Sequence, residues 1–153
     1  MDQKRLNLLQ GDIQAQIREI EKIYVRIGER KNKKGIANLE SLGYQLHNLY
    51  CAFEDLFKIV ADYFENNIEE KKKYHRELLV RMTVSIEGIR PALLSEESHK
   101  LLDSLRAFRH FFRHAYTYEL EPKKVKIVLE DSLRLKPIYP RDIKSFLHKL
   151  GVS

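Results

Sequence analysis

Chain breakers are scarce in this protein. Six glycines and four prolines across 153 residues leave few places for tight turns, which argues against a turn-rich β fold and for long helices. The one cysteine, Cys51, excludes an internal disulfide and any cysteine-rich zinc site. No apolar stretch approaches the ~20 residues that a membrane span needs. No apolar run follows a basic start, so a secretory signal is not expected either, and the expected home is the cytoplasm.

What is present is ordinary in amount and unusual in arrangement. Apolar residues make up 43% and charged residues 33% of the chain, the balance of a globular domain with a well-charged surface. The length suits a single domain spanning 1–153, with a core over about 1–135 and a short C-terminal helix over about 139–150. The net charge of +6 implies attraction to polyanions, a weak signal on its own.

Apolar residues recur in threes and fours, the spacing of one helical face. Leu6, Leu9, Ile13, Ile17, Ile20, Tyr24 and Ile27 predict a first long helix, capped by Asp2 and ended by Gly28 and the polar run Glu29–Gly35. Leu39, Leu42, Leu46, Leu49, Phe53, Leu56, Val60 and Phe64 predict a second helix of similar length, antiparallel to the first across a short loop. A third, shorter helix is expected within Leu78–Ile89. Pro91 blocks a regular helix in the connection that follows. Ser95, followed by Glu96 and Glu97, reads as an N-cap with acids in the first turn. Pro122 restarts a helix with Val125, Val128, Leu129 and Leu133 inward, and Tyr139–Gly151 forms a last short one with Pro140 near its start. The prediction is an all-α bundle.

The fourth helix carries the chemistry. Residues 105–120, LRAFRHFFRHAYTYEL, hold three arginines, two histidines, three phenylalanines and two tyrosines. With Arg109 at zero on a wheel of ~100° per residue, Leu101, Leu105, Phe108, Phe112 and Ala115 cluster near −80°, a core face. Arg106, Arg109, Arg113 and Tyr116 fall between about −20° and +60°, and His110 and His114 at about 100° and 140°. Tyr118 lies nearly opposite Arg109. A solvated basic face on a core helix is one reading. Against it, no acid occurs between Leu105 and Thr117, and like charges one turn apart repel. An anionic ligand relieves that repulsion. His110 and His114 lack the further ligands that zinc needs, and no glutamate lies between them as in a zincin helix. His47, His75, His99 and His148 are scattered, and Cys51 reads as a small core residue.

Arg109, four residues, His114, one residue, Tyr116 form an R-x4-H-x-Y motif. With its place late in a fourth helix of a basic all-α chain, it resembles the HEPN superfamily, and within it the HepT-like ribonuclease toxins of bacteria and archaea. The chain departs from the usual small polar residue after the motif arginine, having His110 there. The resemblance implies a metal-independent endoribonuclease with no cofactor, Arg109 and His114 catalytic, and Arg106, His110 and Arg113 available to RNA phosphates. It implies a homodimer whose two motifs meet at the interface. It also implies a type VII-like toxin–antitoxin pair, in which an MntA-like nucleotidyltransferase antitoxin adds AMP to Tyr116. On the helix Arg109 and His114 point about 140° apart, so either the helix distorts near His114 or a second copy completes the site. A different class of reading stays open: a non-catalytic HEPN partner of a nucleotidyltransferase that only binds nucleotide or substrate. A helical scaffold that merely dimerises is the third.

Overall fold

The computed structural model describes residues 1–65, 74–115 and 119–152, the side chains of 74–77 excepted. Among these residues are six helices and no strand, an all-α bundle. The helices are α1 (Gln3–Arg30), α2 (Ile36–Phe64), α3 (Tyr74–Arg81), α4 (Glu96–Arg113), α5 (Pro122–Leu135) and α6 (Tyr139–Lys149).

The long hairpin forms as the apolar spacing requires. Asp2 caps α1, its carboxylate accepting from the Arg5 amide at 2.8 Å. Gly35 then turns the chain into α2 at φ 103°, a left-handed conformation that a side chain would disfavour. The two helices are antiparallel. Arg5 donates to the Tyr63 carbonyl, Gln16 to the Ala52 carbonyl and Arg30 to the Ser41 hydroxyl, at 2.9, 2.8 and 2.7 Å. The partner's number falls as the donor's rises.

α2 is the central element, packing against α1, α3, α4 and α5. Leu46, Leu49, Phe53, Leu56 and Phe57 are fully buried along it. Each such side chain stabilises the fold by roughly 1.5–3 kcal/mol relative to exposure. α5 buries Val125 and Val128 as expected, but Leu129 and Leu133 only in part. Ser132 and Leu135 take the remaining inward places. Ser132 is tolerated there because its hydroxyl donates to the Leu129 carbonyl at 2.7 Å, while its own carbonyl accepts from Tyr24 at 2.8 Å. Tyr139, Ile143 and Phe146 of α6 belong to the same apolar cluster as α1 and α2.

The third helix is not where the sequence pattern put it. α3 ends at Arg81, and most of the segment expected to be helical is a loop closed by a bridge between Ile86 and Arg90. Two features override the helical spacing. Gly88 sits at φ 77° in the turn between the bridged residues. Arg90, with a fully buried side chain, gathers the loop around itself. It donates to the carbonyls of Arg81, Val84 and Pro91 at 3.0–3.1 Å and pairs with the buried Glu65 at 3.2 Å. Arg81 pairs with the same carboxylate.

Removing one partner of a buried ion pair leaves the other charge desolvated, at a cost of roughly 3–5 kcal/mol. Arg90→Ala is therefore expected to lower the unfolding free energy by roughly 3–5 kcal/mol, read from urea unfolding followed by far-UV circular dichroism. A change below about 1 kcal/mol would show that Arg90 does not hold the loop.

Candidate functional site

α4 is pinned at its start and loaded with cations at its end. The Ser95 hydroxyl oxygen caps it, accepting from the Ser98 amide at 3.3 Å, with Glu96 and Glu97 in the first turn. Asp142 of α6 accepts from the Ser95 amide and from the Ser95 and Ser98 hydroxyls at 3.0, 2.9 and 2.6 Å. At the other end His110 and Arg113 lie in the last turn, where cations are favoured by the partial negative charge of the terminal carbonyls.

The core face falls where the helical wheel puts it: Leu101, Leu105 and Phe108 are buried, while Phe112 and Ala115 are half-buried. Gly43 of α2 brings this face close. A methyl group built there would stand 3.1 Å from Leu120 and 3.3 Å from Phe112. Glycine thus lets the last turn of α4 and the start of the following segment rest directly on α2.

Beside that face lies the cationic stripe, and its members differ. Arg106 is not free of acids: its Nε donates to Asp103 at 2.8 Å. The expectation that no acid lies in reach of the stripe is thereby corrected for this residue. The partner lies one turn back on α4, outside the acid-free interval from Leu105 to Thr117. Arg109 is half-buried, and its Nε donates to the Cys51 thiol at 3.3 Å. Arg113 is exposed. Among the described residues no carboxylate forms an ion pair with Arg109 or Arg113.

His114 lies just beyond the last helical residue. It is the C-cap, at φ −109° and ψ 10°, with its amide bonded to the Phe111 and Phe112 carbonyls. The helix therefore stops before the motif is complete. The His114 ring rests edge-on against His110 at 4.9 Å, both side chains exposed. Arg109 faces α2 instead, and among the described residues no hydrogen bond joins it to His114. Tyr116 and Tyr118 lie outside the described residues.

Three residues on α2 complete the surroundings, and sequence reasoning passed over them. Cys51 is half-buried rather than a core filler, with its sulfur 3.7 Å from His47 Nε2. The His47 ring packs against Phe112 at 5.3 Å. Its Nδ1 is buried without a hydrogen-bond partner among the described residues. Burial first, then the guanidinium groups of Arg109 and Arg113, hold its pKa below the usual histidine range. Tyr50 is fully buried, its hydroxyl without a hydrogen-bond partner among the described residues, and burial pushes its pKa well up. The available signal was spacing: His47 and Cys51 are four residues apart and share one face of α2. Among the described residues, no group of three or more histidine, cysteine, aspartate or glutamate side chains could hold a metal ion.

Residues 41–150 match the family model described as HepT-like protein. The chain belongs to the HepT-like family, of the HEPN type. Membership points to the toxin half of a toxin–antitoxin pair, and so to an antitoxin partner in general terms. The matched span begins within α2 and contains the whole of α4, while α1 precedes it. No curated protein and no solved structure matches the chain. No helix among the described residues is long and apolar enough to cross a membrane.

In this HepT-like chain, Gly43 carries the approach of α4 to α2. Adding a branched side chain to a packed site typically costs 1–3 kcal/mol, so Gly43→Val is expected to lose roughly that much in urea unfolding. A neutral or stabilising effect would mean that Phe112 and Leu120 move aside freely.

Proposed function

We propose that this HepT-like protein is a metal-independent endoribonuclease toxin, active as a homodimer and neutralised by AMP transfer to Tyr116. The observation that carries the reading is the pair of Arg109 and Arg113 at the cationic end of α4, with no carboxylate ion-pair partner among the described residues, beside exposed imidazoles. Two guanidinium groups without carboxylate partners suit a phosphate, which their planar forks bind bidentately.

RNA supplies its own nucleophile, the 2′-hydroxyl that DNA lacks. Its oxygen attacks the adjacent phosphorus while one imidazole takes its proton. The bond from phosphorus to the 5′-oxygen breaks, and that oxygen receives a proton from a second imidazole. The products are a 2′,3′-cyclic phosphate and a free 5′-hydroxyl. His114 is the residue for the proton transfers, and Arg109 holds the charge that develops on the phosphate. His110, Arg113 and, after release from Asp103, Arg106 line the path of the strand. Because Arg109 turns toward α2 and His114 toward His110, a two-fold axis near the end of α4 is the economical way to focus both on one phosphate.

Neutralisation follows the same electrostatics. The Tyr116 hydroxyl oxygen attacks the α-phosphorus of ATP on an MntA-like nucleotidyltransferase antitoxin, pyrophosphate leaves, and the phenolic proton is lost to solvent. The phosphate so attached is the natural partner for Arg109 and Arg113 and fills the place of RNA.

Purified protein is expected to cut RNA in the presence of EDTA. Arg109→Ala and His114→Ala are each expected to lower cleavage by on the order of a hundredfold or more, with the fold intact. Wild-type protein that binds nucleotide but leaves RNA whole would overturn the nuclease in favour of a non-catalytic binding partner.

Co-expression with the antitoxin is expected to raise the intact mass by one or more adenylate units, mapping to the peptide that holds Tyr116. Tyr116→Phe removes the acceptor oxygen and is expected to stay unmodified. Full neutralisation with an unshifted mass would eliminate the modification and leave the ribonuclease reading standing.

A further inference from the structure

We propose that Cys51 and His47 on α2 are positioning residues for Arg109, forming a thiol–imidazole clamp that orients its guanidinium for phosphate. The proposal deepens the ribonuclease reading and rests on it for its functional consequence, although the clamp itself is open to direct observation.

The geometry is a chain of contacts along one face of α2. Gly43, His47 and Cys51 are spaced four residues apart, one column of the helix. Gly43 admits Phe112, and Phe112 supports the His47 ring. His47 Nε2 meets the Cys51 sulfur at 3.7 Å, and that sulfur accepts from Arg109 Nε at 3.3 Å.

Each contact has a chemical direction. Arginine has no acceptor, so it donates and the sulfur accepts. The thiol hydrogen is then free to point at His47 Nε2, provided that nitrogen carries a lone pair. Burial and the two guanidinium groups favour this neutral ring. Among the described residues, the charged and titratable groups facing His47 are Arg109 and Arg113 from α4, and Tyr44 and Cys51 from α2.

The consequence for Arg109 is specific. Engaging Nε at the rear fixes the plane of the guanidinium and leaves its two terminal nitrogens facing away from the sulfur. Those are the pair that grips a phosphate end-on. A carboxylate in the place of Cys51 would also hold the arginine, but would cancel its charge. A thiol holds it while leaving the charge in place.

The test uses full-length protein in two readouts. The first is the Arg109 Nε–H resonance, identified by its loss in Arg109→Ala. It is expected to exchange slowly with solvent in wild type and Cys51→Ser, and rapidly in Cys51→Ala. Cys51→Val, which keeps bulk and loses the bond, makes the same comparison if Cys51→Ala does not fold. The protection is expected to hold in wild type through the usual histidine range and to fall only at lower pH, because burial and the two guanidinium groups lower the pKa of the ring and a protonated ring can no longer accept from the thiol. It is expected to stay level in His47→Gln. The second readout is RNA cleavage with EDTA. Cys51→Ala is expected to lower kcat/KM by on the order of ten- to a hundredfold, and Cys51→Ser to recover most of it. Equal cleavage by Cys51→Ala and wild type would overturn the proposal, as would equal impairment of the serine and alanine variants, or Nε–H protection that ignores Cys51. Cysteine-dependent protection in a protein that leaves RNA whole would instead uphold the clamp and overturn the nuclease reading.

Discussion

The site depends on how closely α4 lies against α2. Helix packing is set by the bulk of the side chains between the axes, and at Gly43 that bulk is a hydrogen. Phe112 and Leu120 occupy the space. Everything nearby inherits its position from this contact: the His47 ring against Phe112, the thiol of Cys51 beside His47, and the guanidinium of Arg109 on the thiol. Seated farther out, α4 would leave Arg109 in water, where a long flexible side chain takes many orientations. The packing of apolar groups thus orients the polar ones.

The opposite end of the same helix is held by a different kind of force. Asp142 collects three hydrogen bonds from Ser95 and Ser98. Arg90 and Glu65 tie the preceding loop to the end of α2. These are buried or half-buried charges, and their value is in specificity as much as stability: each accepts only one arrangement of the chain around it. The bundle accordingly uses neutralised charges where it needs a fixed framework. Arg109 and Arg113 lack such partners among the described residues. Arg81 and Arg90 of the framework share the Glu65 carboxylate, whereas on the α4 stripe only Arg106 has an acid partner among the described residues.

Much of this was legible in the residues themselves. The long hairpin, the Asp2 and Ser95 caps, and the starts at Pro122 and Tyr139 follow from local rules, because capping and periodicity act over one or two turns. The motif residues were also visible, since spacing on a helix converts directly into direction. Two of the failures were non-local and one was local. The segment after Arg81 has helix-compatible apolar spacing, but Arg90 draws it around a carboxylate 25 residues earlier in the chain. Asp103 was overlooked as a partner for Arg106 because it lies two residues before the acid-free interval. Cys51 and His47 looked inert because their relation to Arg109 crosses from one helix to another.

By itself, the sequence determined an all-α chain, the order of its helices and the cationic stripe of a HepT-like motif. Short-range interactions are sufficient for each of these. Only the tertiary structure decided that Arg109 and Arg113 meet no carboxylate among the described residues, and that the motif helix stops before His114. It also decided that a thiol and an imidazole stand behind Arg109. Charge pairing between helices depends on distances that packing sets and that residue order does not contain. Arg106 and Arg109 are three residues apart with the same side chain. One meets a carboxylate on its own helix, and the other a sulfur on its neighbour.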